Sequence, residues 1–102
     1  LGPQQVIIKC GTNGARLYSG HSVDTIGIFP VQNVVDPTGA GDAFGGGLAA
    51  ALAHGESMTE AIINGSALAS FCIEGFGIES LHRASNEEID RRKDYLRKTL
   101  NS

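Results

Sequence analysis

The feature that most constrains this chain is an abrupt change of period at residue 36. Upstream, β-branched and apolar residues come in short runs broken by Gly and Pro, as in Val6-Ile7-Ile8 and in the stretch from Ser22 to Val35. Downstream, Phe44, Leu48 and Leu52 recur every fourth position as far as Gly55. The junction, Asp36-Pro37-Thr38-Gly39-Ala40-Gly41-Asp42, is a Gly-rich turn. Extended runs lack the 3.6-residue period and a four-residue recurrence has it, so the chain reads as strands that feed helices, an α/β arrangement.

On either side of the junction the elements follow from local grammar. Val6-Ile7-Ile8 is ended by Gly11-Thr12-Asn13-Gly14 and resumed by Ala15 to Tyr18, which predicts strand, tight turn, strand. Short strands continue to Val35, the last over Val31 to Val35 with Pro30 before it. The first helix starts at Gly41-Asp42 and stops at Gly55, with His54 at its end complementing the helix dipole. A second opens on Ser57-Met58-Thr59-Glu60, a capping box in which Ser57 and Glu60 can satisfy each other's backbone donors, and it runs to about Ile73 with a small face of Ala61, Gly65 and Ala69. A third opens on Ser85-Asn86-Glu87-Glu88, puts Ile89, Leu96 and Leu100 on one side, and leaves Arg91, Arg92, Lys93, Arg97 and Lys98 as a solvated basic face. There is no repeat, low-complexity tract or linker.

Composition narrows the function classes. With 102 residues the chain is one domain at most. A net charge of −3 offers no basic face to a nucleic acid backbone, and no apolar run approaches the roughly 20 residues of a membrane span. We therefore expect a globular, cytoplasmic protein with no nucleic acid or membrane partner. Cys10 and Cys72 form no C-x-x-C pair and read as reduced, buried thiols. The three histidines lack metal-ligand spacing. The start at Leu1-Gly2-Pro3, with a strand almost at once, reads as a chain cut from a longer one.

Chemistry concentrates at the junction. A helix N-terminus presents unpaired N–H groups and the positive end of the dipole, and Gly39 and Gly41 would let a phosphate come close. A carboxylate at Asp42 would repel that anion. It is either a helix cap, with no ligand needed, or a general base that takes a proton from a hydroxyl while the N–H groups hold the phosphoryl charge. Gly39-x-Gly41-x-x-x-Gly45 approximates a dinucleotide turn but lacks the acidic residue that would hold a ribose, Glu60 lying in a helix start. No Gly-Lys-Ser/Thr completes a Walker loop.

Asp36-Pro37-Thr38-Gly39-Ala40-Gly41-Asp42-Ala43-Phe44 resembles the C-terminal signature of the ribokinase-like (PfkB) carbohydrate kinases. Lys9-Cys10-Gly11-Thr12-Asn13-Gly14-Ala15 is similar to the strand and turn before that signature, and Glu60-Ala61 through Phe71 to the helix pair after it. The resemblance implies the C-terminal part of a doubly wound ribokinase-like α/β sandwich that phosphorylates a sugar or nucleoside hydroxyl from Mg2+-bound ATP. It implies Asp42 as catalytic base and the Gly39-Ala40-Gly41 backbone as anion hole. Lys9, Gly11, Gly14 and Gly41 would border the nucleotide, with Ser66 beside the adenine, although the family often has Thr where Lys9 stands. Asp36 and Thr38 match positions that supply oxygens to a K+ site, completed from Gly75-Phe76-Gly77-Ile78-Glu79; an Asx turn at Asp36 is the alternative. Complete members are longer, so the resemblance implies that this chain alone is inactive, and it leaves the acceptor and a homodimer of the intact protein open. A non-catalytic nucleotide-binding module is the other reading, against which Asp42 argues. An oxidoreductase built on the Gly39-to-Gly45 turn is a third.

Overall fold

In a computed structural model, residues 5–9, 14–31, 39–76 and 86–101 are described. Strands β1 (Gln5–Lys9), β2 (Ala15–Ser19) and β3 (Ser22–Ile26) pair antiparallel in the order β1-β2-β3. The register sets Ile7 opposite Leu17 and Leu17 opposite Asp24, so Ile7, Ala15, Leu17 and Ile26 share the inner face. Val6, Ile8 and Val23 lie on the other face, and all three are exposed. The β1–β2 hairpin depends on Gly14, whose φ is +89° and where a Cβ would stand 2.0 Å from the Ile26 carbonyl oxygen. Only glycine fits there.

The inner face is covered by helices α1 (Ala40–Ala53), α2 (Met58–Phe71) and α3 (Asn86–Lys98). α2 is central: Ala61, Ile62, Ile63, Gly65, Ala67, Ser70 and Phe71 are buried on several sides of it, as for a helix enclosed by neighbours. Ile62, Ile63 and Ala67 join Ala15, Leu17, Ile26 and Leu96 in the core. α1 meets α2 along small residues. A Cβ on Gly47 would lie 2.9 Å from the Gly65 Cα, one on Gly65 would lie 2.5 Å from the Phe44 carbonyl oxygen, and Asn64 donates to the Gly47 carbonyl at 2.8 Å.

Several expectations change. The buried stripe of α1 runs through Gly47 and Ala51, flanked by Phe44 and Leu48, while Leu52 is exposed; the close helix approach selects the small residues. The capping box is half made: Ser57 accepts from the Glu60 N–H at 3.2 Å, but the Glu60 carboxylate turns to Arg97, which donates from Nε and Nη2 at 3.0 and 2.7 Å. A guanidinium across the helix interface offers a stronger, charged partner than a backbone N–H. Beyond Phe71 the α-helix gives way to one π-helical turn over Cys72–Phe76. The basic face is not wholly solvated, because Arg92 is largely buried; Arg97 stays exposed and pairs there with Glu60 and Asp94. Leu100 lies past the end of α3 yet still packs on the core. Val31 is outside any strand, and the rest of the last predicted strand, like Ser85 and Cys10, lies outside the described residues. Cys72 is a free, buried thiol whose pKa is pushed up by burial. His54 is the C-cap of α1.

After α3 the chain runs back along β3. Asn101 donates its N–H to Thr25 O and accepts from Thr25 N, both at 2.8 Å, and Thr99 Oγ1 accepts from Gly27 N at 2.9 Å. The outer edge of β3 is thereby tied to the helical layer, which fixes where the segment Gly27 to Pro30 leaves the sheet.

Candidate active site

α1 begins on Gly39, which has φ +89° and ψ −11° and carries no side chain to cap the helix. A left-handed residue is what glycine adopts without penalty. The first intrahelical bond runs from Ala43 N to Gly39 O at 2.9 Å, so the N–H groups of Ala40, Gly41 and Asp42 precede it. A Cβ built on Gly41 meets nothing within 4 Å, and Gly41 and Asp42 are both exposed. Asp42, at the third helical position, makes no hydrogen bond or ion pair with the described residues. The capping function is vacant at Gly39, and Asp42 does not take it.

Beside this helix start lies a cleft of about 160 Å3. It is lined by Lys9 at the end of β1, Gly14 and Ala15 at the start of β2, Ala40 and Phe44 on α1, and Ser66, Ala69 and Ser70 on α2, with Ile28 and Phe29 after β3. The fold thus brings Lys9, Gly14, Ala40 and Ser66, four of the residues singled out in the sequence, to one place. Lys9 Nζ stands 4.8 Å from the Phe44 ring centroid, a cation–π contact at the cleft wall. Lys9 is the only cationic side chain among the described residues that line the cleft. Gly11, Asp36 and Thr38 lie outside the described residues.

The sequence reading missed Phe29 and Ser70, and took Phe44 only for core. Phe29 follows Gly27 at the point where the β-branched pattern breaks, and that break was the available signal. Nothing local marks Ser70. It is 4 % exposed, donates to Ala67 O at 2.6 Å and accepts from Arg92 Nη1 at 2.8 Å, a pairing made only by tertiary packing.

A sheet backed by helices, with a glycine-opened helix start at the edge of a cleft, is an α/β arrangement. Residues 1–83 match the pfkB family of carbohydrate kinases, and the chain belongs to that family. It is 39 % identical to the ribokinase of Arabidopsis thaliana over 75 residues, which are 72 % of this chain and 20 % of that protein. Among solved structures it is similar to Arabidopsis thaliana ribokinase complexed with ribose and ATP, with a TM-score of 0.73 and 32 % identity over 87 % of this chain and 28 % of that one. It is also similar to the nucleoside kinase of Burkholderia thailandensis in complex with ADP-inosine, with a TM-score of 0.74 and 31 % identity over 91 % of this chain and 29 % of that one. The α/β fold is therefore ribokinase-like. The chain spans about a fifth of its curated relative and under a third of the solved chains.

Proposed function

We propose that this chain carries the nucleotide-binding and catalytic residues of an ATP-dependent sugar or nucleoside kinase, with Asp42 as the base. The observation that carries the reading is the exposed Asp42 carboxylate, without a partner among the described residues, at a helix start opened by Gly39 next to the cleft. A carboxylate so placed weakens anion binding. Its presence is accounted for by a task in the chemistry: its oxygen accepts the proton of the attacking hydroxyl, while the Ala40, Gly41 and Asp42 N–H groups hold the charge of the phosphoryl group.

The cleft suits the base of the nucleotide. At about 160 Å3 it is smaller than the roughly 300–1,000 Å3 that encloses a whole drug-sized ligand, and its walls are largely apolar. Ile28, Phe29 and Ala69 offer a flat base apolar contact, Ser66 offers it a hydroxyl, and Gly14 lets the backbone come close. Toward α1, Lys9 adds a single positive charge near the phosphates. Mg2+ bound with the nucleotide would neutralise the remaining phosphate charge, which one lysine cannot. Asp36 and Thr38 are proposed as oxygen donors to a potassium ion beside the helix start, from their place in the signature. That relatives were solved with ribose and ATP and with ADP-inosine supports a small polyhydroxyl acceptor. In this reading the acceptor pocket lies outside these residues.

The test is a phosphotransfer screen of the intact protein that carries these residues, with Mg-ATP and a panel of sugars and nucleosides, in potassium and in sodium salts. We expect acceptor-dependent ADP release, faster in potassium. Asp42→Asn should lower turnover by about a hundredfold or more with nucleotide affinity retained. Nucleotide binding with no transfer to any acceptor would favour a binding module, and unchanged turnover in Asp42→Asn would end the assignment of the base.

A further inference from the structure

The cleft wall formed by Phe29 and Ser70 is braced by a side chain beyond residues 1–83, the stretch that matches the family. Arg92 on α3 lies between two aromatic rings: its guanidinium carbon is 3.7 Å from the Phe71 centroid and 4.5 Å from the Phe29 centroid. In its own plane the same group donates from Nη1 to Ser70 Oγ at 2.8 Å and forms an ion pair with Glu74 through Nη2. Its side chain is 12 % exposed. A second α3 residue, Tyr95, meets the Phe29 ring edge-on, with centroids 5.2 Å apart and planes at 75°. Phe29 and Ser70 line the cleft, whereas Arg92 and Tyr95 do not.

We infer that Arg92 is a positioning residue for the nucleotide base, holding the Phe29 ring and the Ser70 hydroxyl in the cleft wall. The inference rests on the reading of this cleft as the nucleotide site. Arginine suits the task because its planar fork can stack on rings with its faces and donate hydrogen bonds from its edges at once; a lysine ammonium is a point charge and does neither in this arrangement. The Ser70 proton is committed to Ala67 O, so the hydroxyl is fixed in orientation when Arg92 donates to it. The ring of Phe29 sits on a segment tied at Gly27 to Thr99, just past α3, and α3 supplies both of its aromatic and cationic contacts. The helix most distant from the signature therefore shapes the surface on which a base would lie, and leaves the anion-binding start of α1 untouched.

The experiment compares ATP with inorganic tripolyphosphate, which has the phosphates and no base, by calorimetric titration of the intact protein well below its melting temperature. For Arg92→Lys we expect ATP affinity to fall about tenfold while tripolyphosphate affinity stays within about twofold. Phe29→Ala should give the same one-sided loss, and the double variant should lose no more than Phe29→Ala alone, as for two residues that act as one unit. Equal losses for both ligands, additive losses in the double variant, or unchanged ATP affinity would overturn the assignment. If Arg92→Lys fails to fold, Phe29→Ala still decides, since an unselective or absent effect there removes the surface Arg92 is said to hold. Failure of the nucleotide reading is separate: the unsubstituted protein would bind ATP no better than tripolyphosphate.

Discussion

Gly41 and Asp42 differ from ordinary first-turn residues in what surrounds them. Each is exposed, and the space that a side chain on Gly41 would enter is open. Folding alone therefore does not demand glycine at this position. If the opening is where a phosphate sits, Gly41→Val should leave the melting temperature within a few degrees and cut nucleotide affinity and turnover together, by about tenfold or more. Thermal unfolding and nucleotide titration of the same variant check it, and intact binding in a folded Gly41→Val protein would remove the phosphate from that place. Gly14 is the contrasting case, since its φ of +89° and the nearby Ile26 carbonyl make it a requirement of the hairpin itself.

Between elements, the α1–α2 contact is set by Gly65 and Gly47. Gly65→Ala must push a methyl group against the Phe44 backbone and should destabilise the protein by about 1–3 kcal/mol, as overpacking does. Gly45→Ala, also in α1 but with nothing within 4 Å of the added Cβ, should instead stabilise by up to about 1 kcal/mol through helix propensity. Denaturant midpoints of the pair separate close packing from backbone flexibility. The α2–α3 contact carries the Glu60–Arg97 pair, in which the hydrogen bond from Arg97 lowers the Glu60 pKa from its ordinary 4.5. A lowered carboxylate pKa means that the unfolded chain binds the proton more readily. The pair's contribution is then fully present above 4.5 and is lost as pH falls through the lowered value. Glu60→Gln should flatten the acid limb of the stability profile below that point and change its slope little near neutrality, as read by urea unfolding at a series of pH values. The pair is partly exposed, so raised salt should weaken the effect.

For the molecule as a whole, two expectations concern the chain taken by itself. Val6, Ile8 and Val23 are 50 %, 46 % and 45 % exposed on the face of the sheet away from the core, with β1 at the edge of the described sheet. We expect the 102-residue chain on its own to self-associate through this face, and Val6→Lys with Val23→Lys to reduce that association in sedimentation experiments. We also expect it not to transfer phosphate to any acceptor. Transfer needs the hydroxyl held about 3 Å from phosphorus and in line with the leaving oxygen, and that positioning supplies much of the rate. Acceptor-stimulated ADP release by this chain alone, near the rate of the intact protein, would place the acceptor pocket within it.

Much of this was legible before any coordinates. The β-branched run Val6-Ile7-Ile8, the Gly-rich turn, the Ser57 cap and the four-residue recurrence of α1 are local, and local sterics and backbone hydrogen bonding dictate them. The signature residues around Asp42 were readable because the Gly-rich run and the helix start are contiguous in sequence. Other features were decided by contacts between segments far apart in the chain. Periodicity placed Leu52 inside, yet the close approach of Gly47 to Gly65 turned α1 toward Ala51. Charge alone put Arg92 in water, but the Phe71 and Phe29 rings and the Glu74 carboxylate of the π-helical turn took it in, whereas Arg97 stays exposed. A residue's burial and partners depend on what the tertiary fold sets beside it, which a one-dimensional pattern does not contain, so the cleft wall of Phe29 and Ser70, with Arg92 behind it, emerged only when the three helices were packed on the sheet.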